Sequence, residues 1–281
     1  MASVVFVAGL IGMQRAQVGL TVLTTIFANN ISTAIAFSAF WMLGGASVPT
    51  ALWWQPIFLA ALFVVGILLT FAAVQLGDVS VATPVLGLKV LIVACVMTIW
   101  LGERLPVFIW VSAILAALGV ALIQWTDQGQ PKRLWLTIAM ALGAATCYAH
   151  FDIAIQQWSA QWSTGRLMPM IGWCVGVLSL PLLPWVQFRE MTHPSIRPWL
   201  ILGCFATTMQ ACLIISTLSW YGDAARVNIV FSLRGIWALG LAWAAARVWG
   251  GHEAELSRRV IVRRFSGATL LTVAVILAIS A

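Results

Sequence analysis

The chain has 281 residues, of which 62% are apolar and only 8% charged, with a formal net charge of +7. A soluble domain carries about 25% charged residues, so a water-soluble globule of this composition would leave extensive apolar surface in water; a lipid bilayer removes that conflict. The basic excess is spread over short connections, which fits membrane topology and speaks against a nucleic-acid partner.

A helix needs about 20 residues to cross roughly 30 Å of hydrocarbon, so the length allows about ten crossings and leaves little for a soluble domain. Apolar runs bounded by charges and Gly/Pro punctuation predict spans at 2–17, 21–43, 54–76, 80–101, 106–125, 134–157, 167–187, 198–218, 225–248 and 265–281. The first is short and closes near Arg15. It lacks the charged start and small-residue cleavage site of a signal peptide, and is read as a first membrane helix, shortened at its start. Trp53, Trp54, Trp125, Trp135, Trp185 and Trp199 fall near predicted helix ends, where an interfacial aromatic belt belongs. The five cysteines, Cys95, Cys147, Cys174, Cys204 and Cys212, lie in apolar runs without CxxC spacing and read as small core or lipid-facing residues. No motif calls for a metal or a cofactor.

An internal repeat is visible. Gly77-Asp78 aligns with Gly222-Asp223, and Leu88-Lys89 aligns with Leu233-Arg234, both at a separation of 145 residues and without a gap. A weaker match joins Met13-Gln14 to Ile155-Gln156. The expected fold is therefore an all-α integral membrane protein of about ten transmembrane helices in a 5+5 inverted repeat. Its halves are residues 1–126 and 133–281. An odd number of crossings inverts the second copy, and such repeats place a solute site near midplane at their interface.

Residues 70–125 resemble the EamA-type drug/metabolite transporter superfamily. The resemblance is carried by a helix entered through a small-residue and proline segment. A turn, Leu101-Gly102-Glu103-Arg104-Leu105, follows, and then a helix ending in Ala116-Ala117-Leu118-Gly119-Val120. The second half departs from the pattern. Where a second turn is expected it has Gly250-Gly251-His252-Glu253 and then an arginine-rich stretch. The resemblance implies ten helices, a 5+5 inverted repeat and alternating access through a central cavity. It points to a multi-pass secondary transporter of a small organic metabolite in a bacterial inner (plasma) membrane. Since members carry amino acids, drugs, nucleotide sugars or sugar phosphates, it selects no substrate.

Lys89 is the leading site candidate because it falls near the middle of a predicted span. A charge there costs about 2.5–3.5 kcal/mol on insertion scales, so it should face the bundle interior or a wet cavity. Arg234 holds the equivalent place in the ninth span. Two-fold pseudo-symmetry would bring both cations to one cavity, where an anionic or zwitterionic solute would relieve their repulsion. Lysine offers a compact charge and arginine a planar fork suited to oxyanions. Relatives moving phosphorylated solutes resemble this in using basic residues in the fourth and ninth helices. The competing reading is structural: each base pairs with an acid or with helix carbonyls.

Asp152 is the one acid well inside a predicted span. It reads as a fixed counter-ion or as a proton acceptor for coupled transport, since a buried carboxylate resists ionisation without a cation. His150 reads as a hydrogen-bonded interior histidine or a proton relay. Asn228 ranks below Arg234, because six residues of ideal helix turn it about 120° away. Asn29, Asn30, Gln75 and Gln210 read as interhelical glue before ligands.

Connections after odd-numbered spans carry ten Lys/Arg and those after even-numbered spans three. The positive-inside rule therefore puts both termini outside, whereas the superfamily resemblance puts them in the cytoplasm. An intramembrane enzyme finds no support: there is no HExxH, no GxSxG and no second intramembrane acid. A channel or a non-transporting membrane scaffold is the remaining alternative.

Overall fold

A computed structural model describes residues 1–45, 48–76, 79–124, 134–237, 240 and 258–280. Among them every regular element is helical. That is what hydrocarbon demands of an open chain, because each backbone amide and carbonyl must find its partner within its own segment. The helices are α1 (Ala2–Ala16), α2 (Val22–Ser38), α3 (Trp54–Leu76), α4 (Val79–Gly87), α5 (Lys89–Trp100) and α6 (Val107–Gln124). They continue with α7 (Leu134–Trp162), α8 (Thr164–Ser179), the short α9 (Phe188–Met191), α10 (Arg197–Tyr221), α11 (Ala224–Phe231) and α12 (Arg258–Ser280). Among the described residues six stretches are long and apolar enough to cross a bilayer: Val22–Leu43, Thr50–Val74, Leu134–Trp162, Thr164–Trp185, Arg197–Tyr221 and Val262–Ser280. Ala2–Ala16, Pro84–Trp100 and Val107–Ile123 are shorter apolar helices. Large side chains such as Ile99, Trp135 and Phe265 stand exposed on these helices, where lipid rather than water would meet them.

The chain divides into two compact units, and neither is a continuous half. One comprises Met1–Leu68 and Phe151–Asp223, the other Leu69–His150 and Ala224–Ala281. Of the sequence features noted above, Gly77-Asp78, the Thr126–Arg133 connection, Arg247 and Gly250–Glu253 lie outside the described residues, as does Trp125.

The first unit is held by helix pairs that approach at backbone distance. α1 lies along α10 at Gly12 and Gly203, where a Cβ on Gly203 would stand 2.8 Å from the Met13 amide nitrogen. Small residues permit this approach, and van der Waals contact rather than the hydrophobic effect joins helices in lipid. Met13, Ala16, Leu20, Leu200 and Cys204 form the apolar seam beside it. α2 packs on α8, and polar side chains bridge the helices. Asn30 Nδ2 donates to Ser179 Oγ at 2.8 Å. Thr207 Oγ1 of α10 donates to Asn29 Oδ1 at 2.6 Å. Trp162 Nε1 of α7 donates to Gln55 Oε1 of α3 at 2.7 Å. α10 ends on Gly222, whose left-handed φ of 61° closes the helix through a hydrogen bond to the Leu218 carbonyl. The Gly222-Asp223 pair of the repeat is thus a helix stop, a role glycine fills without steric cost.

The second unit repeats the packing device with different helices. α6 and α12 run against each other at Gly119 and Gly267, where a Cβ on Gly119 would lie 2.8 Å from the Gly267 carbonyl oxygen. α4 meets α6 through Gly87 against Val120. Ala73, Ala82 and Ala141 bring α3, α4 and α7 together as a small-residue core.

Replacing Gly119 or Gly203 by leucine should destabilise the purified protein by about 1–3 kcal/mol through overpacking, seen as a lower Tm in detergent. Gly176→Ala is the control, since its added Cβ would meet only the Ala34 Cβ at 3.4 Å.

Candidate functional site

The second unit contains two helix interruptions at repeat-related positions. Pro84 has no amide hydrogen and its ring crowds the preceding turn. Downstream of it the Leu88 amide bonds three residues back, to the Val85 carbonyl at 3.0 Å, and the helix restarts at Lys89. In the second copy α11 stops at Phe231, and Ser232 and Leu233 form a turn. There the Leu233 amide bonds three residues back, to the Val230 carbonyl at 3.2 Å. Leu88 and Leu233 are the aligned residues of the repeat, as are Val85 and Val230. The second break has no proline. Its local donors bond backward instead: Asn228 Nδ2 donates to the Ala224 carbonyl at 2.9 Å, and Ser232 Oγ to the Ile229 carbonyl. Side-chain bonds of this kind compete with the helical ladder and bend it.

Each break delivers a basic side chain directly after it. Lys89 opens α5, and Arg234 follows the Ser232-Leu233 turn. Both line one cavity within this unit, together with Asn228, Ser232 and Phe231 and an apolar wall that includes Val120. The space they line is about 10 Å³, which accommodates a single water and no metabolite. Lys89 Nζ lies 5.8 Å from the centre of the Tyr148 ring, and Arg234 Cζ lies 4.7 Å from the centre of the Phe231 ring. Thr70 Oγ1 donates to the Tyr148 hydroxyl at 3.4 Å, and Arg234 is near enough to that phenol to act on it electrostatically.

The five expected site residues therefore separate. Lys89, Arg234 and Asn228 share the cavity wall. Asn228 sits closer to the site than ideal helix geometry implies, because the 232–233 turn breaks the rotation between it and Arg234. His150 is in the same unit but not on that wall. Its Nδ1 is 2.8 Å from the Thr146 carbonyl, and its ring lies 5.5 Å from that of Trp100. Asp152 is buried in the first unit, at 3% exposure. Asn29 and Asn30 join α2 to α10 and α8 as glue. Gln210 is half-buried on α10. Tyr148, Phe231 and Ser232 escape sequence reasoning: in so apolar a chain, aromatic residues give no sign of which ones face a cavity. Among the described residues no group of His, Cys, Asp and Glu is placed to hold a metal ion.

Residues 1–125 match the model of the EamA-like transporter family, so the match starts well ahead of the stretch 70–125 that carries the resemblance in the sequence. No curated protein matches the chain. A solved structure described only as "Crystal structure of protein" superposes with a TM-score of 0.71 at 15% identity, over 99% of this chain and 96% of its own. At that identity the likeness is one of fold.

Asn30→Ala should lower stability by about 0.6–2 kcal/mol, the range for interhelical hydrogen bonds in membranes, measured as a Tm shift, and should leave solute affinity unchanged if the residue is glue alone. Over residues 1–125, a little under half of its length, the chain is similar to the EamA-like transporter family.

Proposed function

We propose that this protein is a secondary transporter that moves a small anionic or zwitterionic organic metabolite by alternating access, binding it between Lys89 and Arg234. The observation that carries the reading is the single cavity wall shared by two basic side chains, each released by a helix break at the same place of the repeat. Interrupted helices at corresponding positions of two repeats are where transporters of this architecture hold their solutes. The proposed halves remain 1–126 and 133–281, related as a 5+5 inverted repeat, in a bacterial inner membrane.

The electrostatics favour an anion. Two basic side chains on one cavity wall offer an oxyanion between them two attractions. Arg234 can give parallel hydrogen bonds to a carboxylate or phosphate, while Lys89 gives a mobile point charge. Asn228 and Ser232 add neutral hydrogen-bonding groups that suit a zwitterion or a hydroxylated metabolite. The space is about 10 Å³, so loading the solute would require the wall to open.

Lys89→Gln and Arg234→Gln should each reduce transport in proteoliposomes at least tenfold while leaving folded protein in the membrane. Normal transport by both variants would remove the site. Asp152 is proposed as a fixed counter-ion of a basic residue, with proton coupling as its alternative role. Under the alternative, Asp152→Asn should abolish accumulation driven by a pH gradient yet preserve solute exchange, and unchanged accumulation would exclude that role.

A further inference from the structure

We propose that one membrane boundary of the first unit carries a binding site for an anionic phospholipid, with its phosphate on Arg166 and Trp41 and an acyl chain along the exposed face of α8. The site belongs to the first unit, whereas Lys89 and Arg234 belong to the second, so the lipid is a partner of the fold rather than cargo.

The site begins with a guanidinium that is held in place. Arg166 lies in the first turn of α8, and its Cζ sits 3.9 Å from the centre of the Trp41 ring. Its Nε donates to the Gly45 carbonyl at 3.3 Å. Trp41 is stacked in turn on Trp173, with ring centres 5.2 Å apart. Trp173 Nε1 donates to Ser38 Oγ at 2.8 Å, and that hydroxyl donates to the Ala34 carbonyl at 2.7 Å. The stack thus pins the guanidinium by one face and by Nε. Nη1 of Arg166 is buried and finds no hydrogen-bond partner among the described residues. An unpaired buried donor is costly, and phosphate oxygens are the acceptors that a guanidinium takes in parallel. Arg166 is only partly buried, and Met42 and Leu43, which follow Trp41, stand largely exposed, so this corner is surface rather than core.

The surroundings select a lipid over a free anion. Val22–Leu43 and Thr164–Trp185 are each long and apolar enough to cross a bilayer, and the cluster falls where the first ends and the second begins. That is the level of the headgroups, where tryptophan rings anchor and long basic side chains reach for water. Trp173, Val177 and Leu180 follow Arg166 at steps of seven, four and three residues, which keeps all four on one side of the helix. The three apolar residues are 43%, 64% and 51% exposed. From Arg166 to Val177 the helix rises roughly 16 Å, close to half of the roughly 30 Å hydrocarbon thickness. A phospholipid matches this layout, with an anion at the boundary and an apolar chain reaching toward the midplane. A free phosphate would use the guanidinium and none of the stripe. An ethanolamine headgroup brings its own ammonium toward the guanidinium and a glycerol headgroup brings none, which selects a net anionic lipid.

The test uses purified full-length protein in detergent, with native mass spectrometry counting bound lipid and a thermal melt reading stability. The probes are phosphatidylglycerol, phosphatidylethanolamine and inorganic phosphate. Phosphatidylglycerol should bind in preference to phosphatidylethanolamine and raise the Tm, and excess inorganic phosphate should not displace it. Arg166→Gln should weaken phosphatidylglycerol binding about fivefold and Trp41→Leu about two- to fivefold. Arg189→Gln, at an exposed arginine of α9 outside the cluster, should leave it unchanged. Arg166→Met and Trp41→Met stand in where a first variant fails to melt cooperatively. Equal binding of the two lipids by the unaltered protein overturns the inference, as does undiminished phosphatidylglycerol binding in the Arg166 and Trp41 variants. An equal loss in Arg189→Gln reduces the effect to general surface charge, and displacement by inorganic phosphate reduces the site to one for a free anion; either result also overturns the lipid assignment.

Discussion

A helix that stops inside a membrane exposes backbone amides and carbonyls that lipid cannot satisfy. Long helices such as α3, α7 and α10 obey that constraint by not stopping. Among the described residues the second unit departs from it at Leu88 and at Ser232-Leu233. Each departure is contained by tightening the backbone to three-residue hydrogen bonds, and each is followed at once by a basic residue. Tightened stretches of this kind within helices often mark functional hinges. The two cations of the cavity and part of its polar lining lie at or beside these two interruptions.

The surroundings keep those interruptions rigid enough to be useful. Gly87 sits against Val120 one residue before the first break, and Val120 is itself part of the cavity wall. One residue earlier on the same helix, Gly119 makes the backbone-distance contact with Gly267 of α12. The site is therefore coupled through two adjacent residues of α6 to one of the closest helix contacts in its unit. Gly12 and Gly203 make the corresponding kind of contact in the first unit. Glycine recurs because it lets backbones approach where apolar side chains gain nothing by hiding from one another in lipid.

Much of this was legible in the sequence, and for physical reasons. Charges and Gly/Pro punctuation mark where a span must surface, so the expected 54–76 and 106–125 correspond to α3 (Trp54–Leu76) and α6 (Val107–Gln124). The cost of placing a charge among apolar residues pointed to Lys89 and, through the repeat, to Arg234. What was hidden lies at the breaks. The stretch 80–101 reads as one run, yet it divides at Leu88, and 225–248 gives no proline to announce a turn at residues 232–233. Once that turn is missed, an ideal helix rotates Asn228 away from the cavity it lines. Tyr148 and Phe231 went unnoticed for a different reason: against a background of lipid-facing aromatics, a ring that lies beside a cation has no distinguishing neighbours in sequence. The interhelical bridges of Asn29 and Asn30 agree with their expected role as glue, although the chosen partners, Thr207 and Ser179, could be known only from packing.

The smallness of the space around Lys89 and Arg234 has an energetic consequence for the cell. Two cations in a wide hydrated passage would form a standing anion conductance and dissipate the gradients on which a secondary carrier depends. The space lined by the described residues has room for about one water. Under the proposed role of the two charges, so narrow a space would let them stand ready for cargo without short-circuiting the membrane potential.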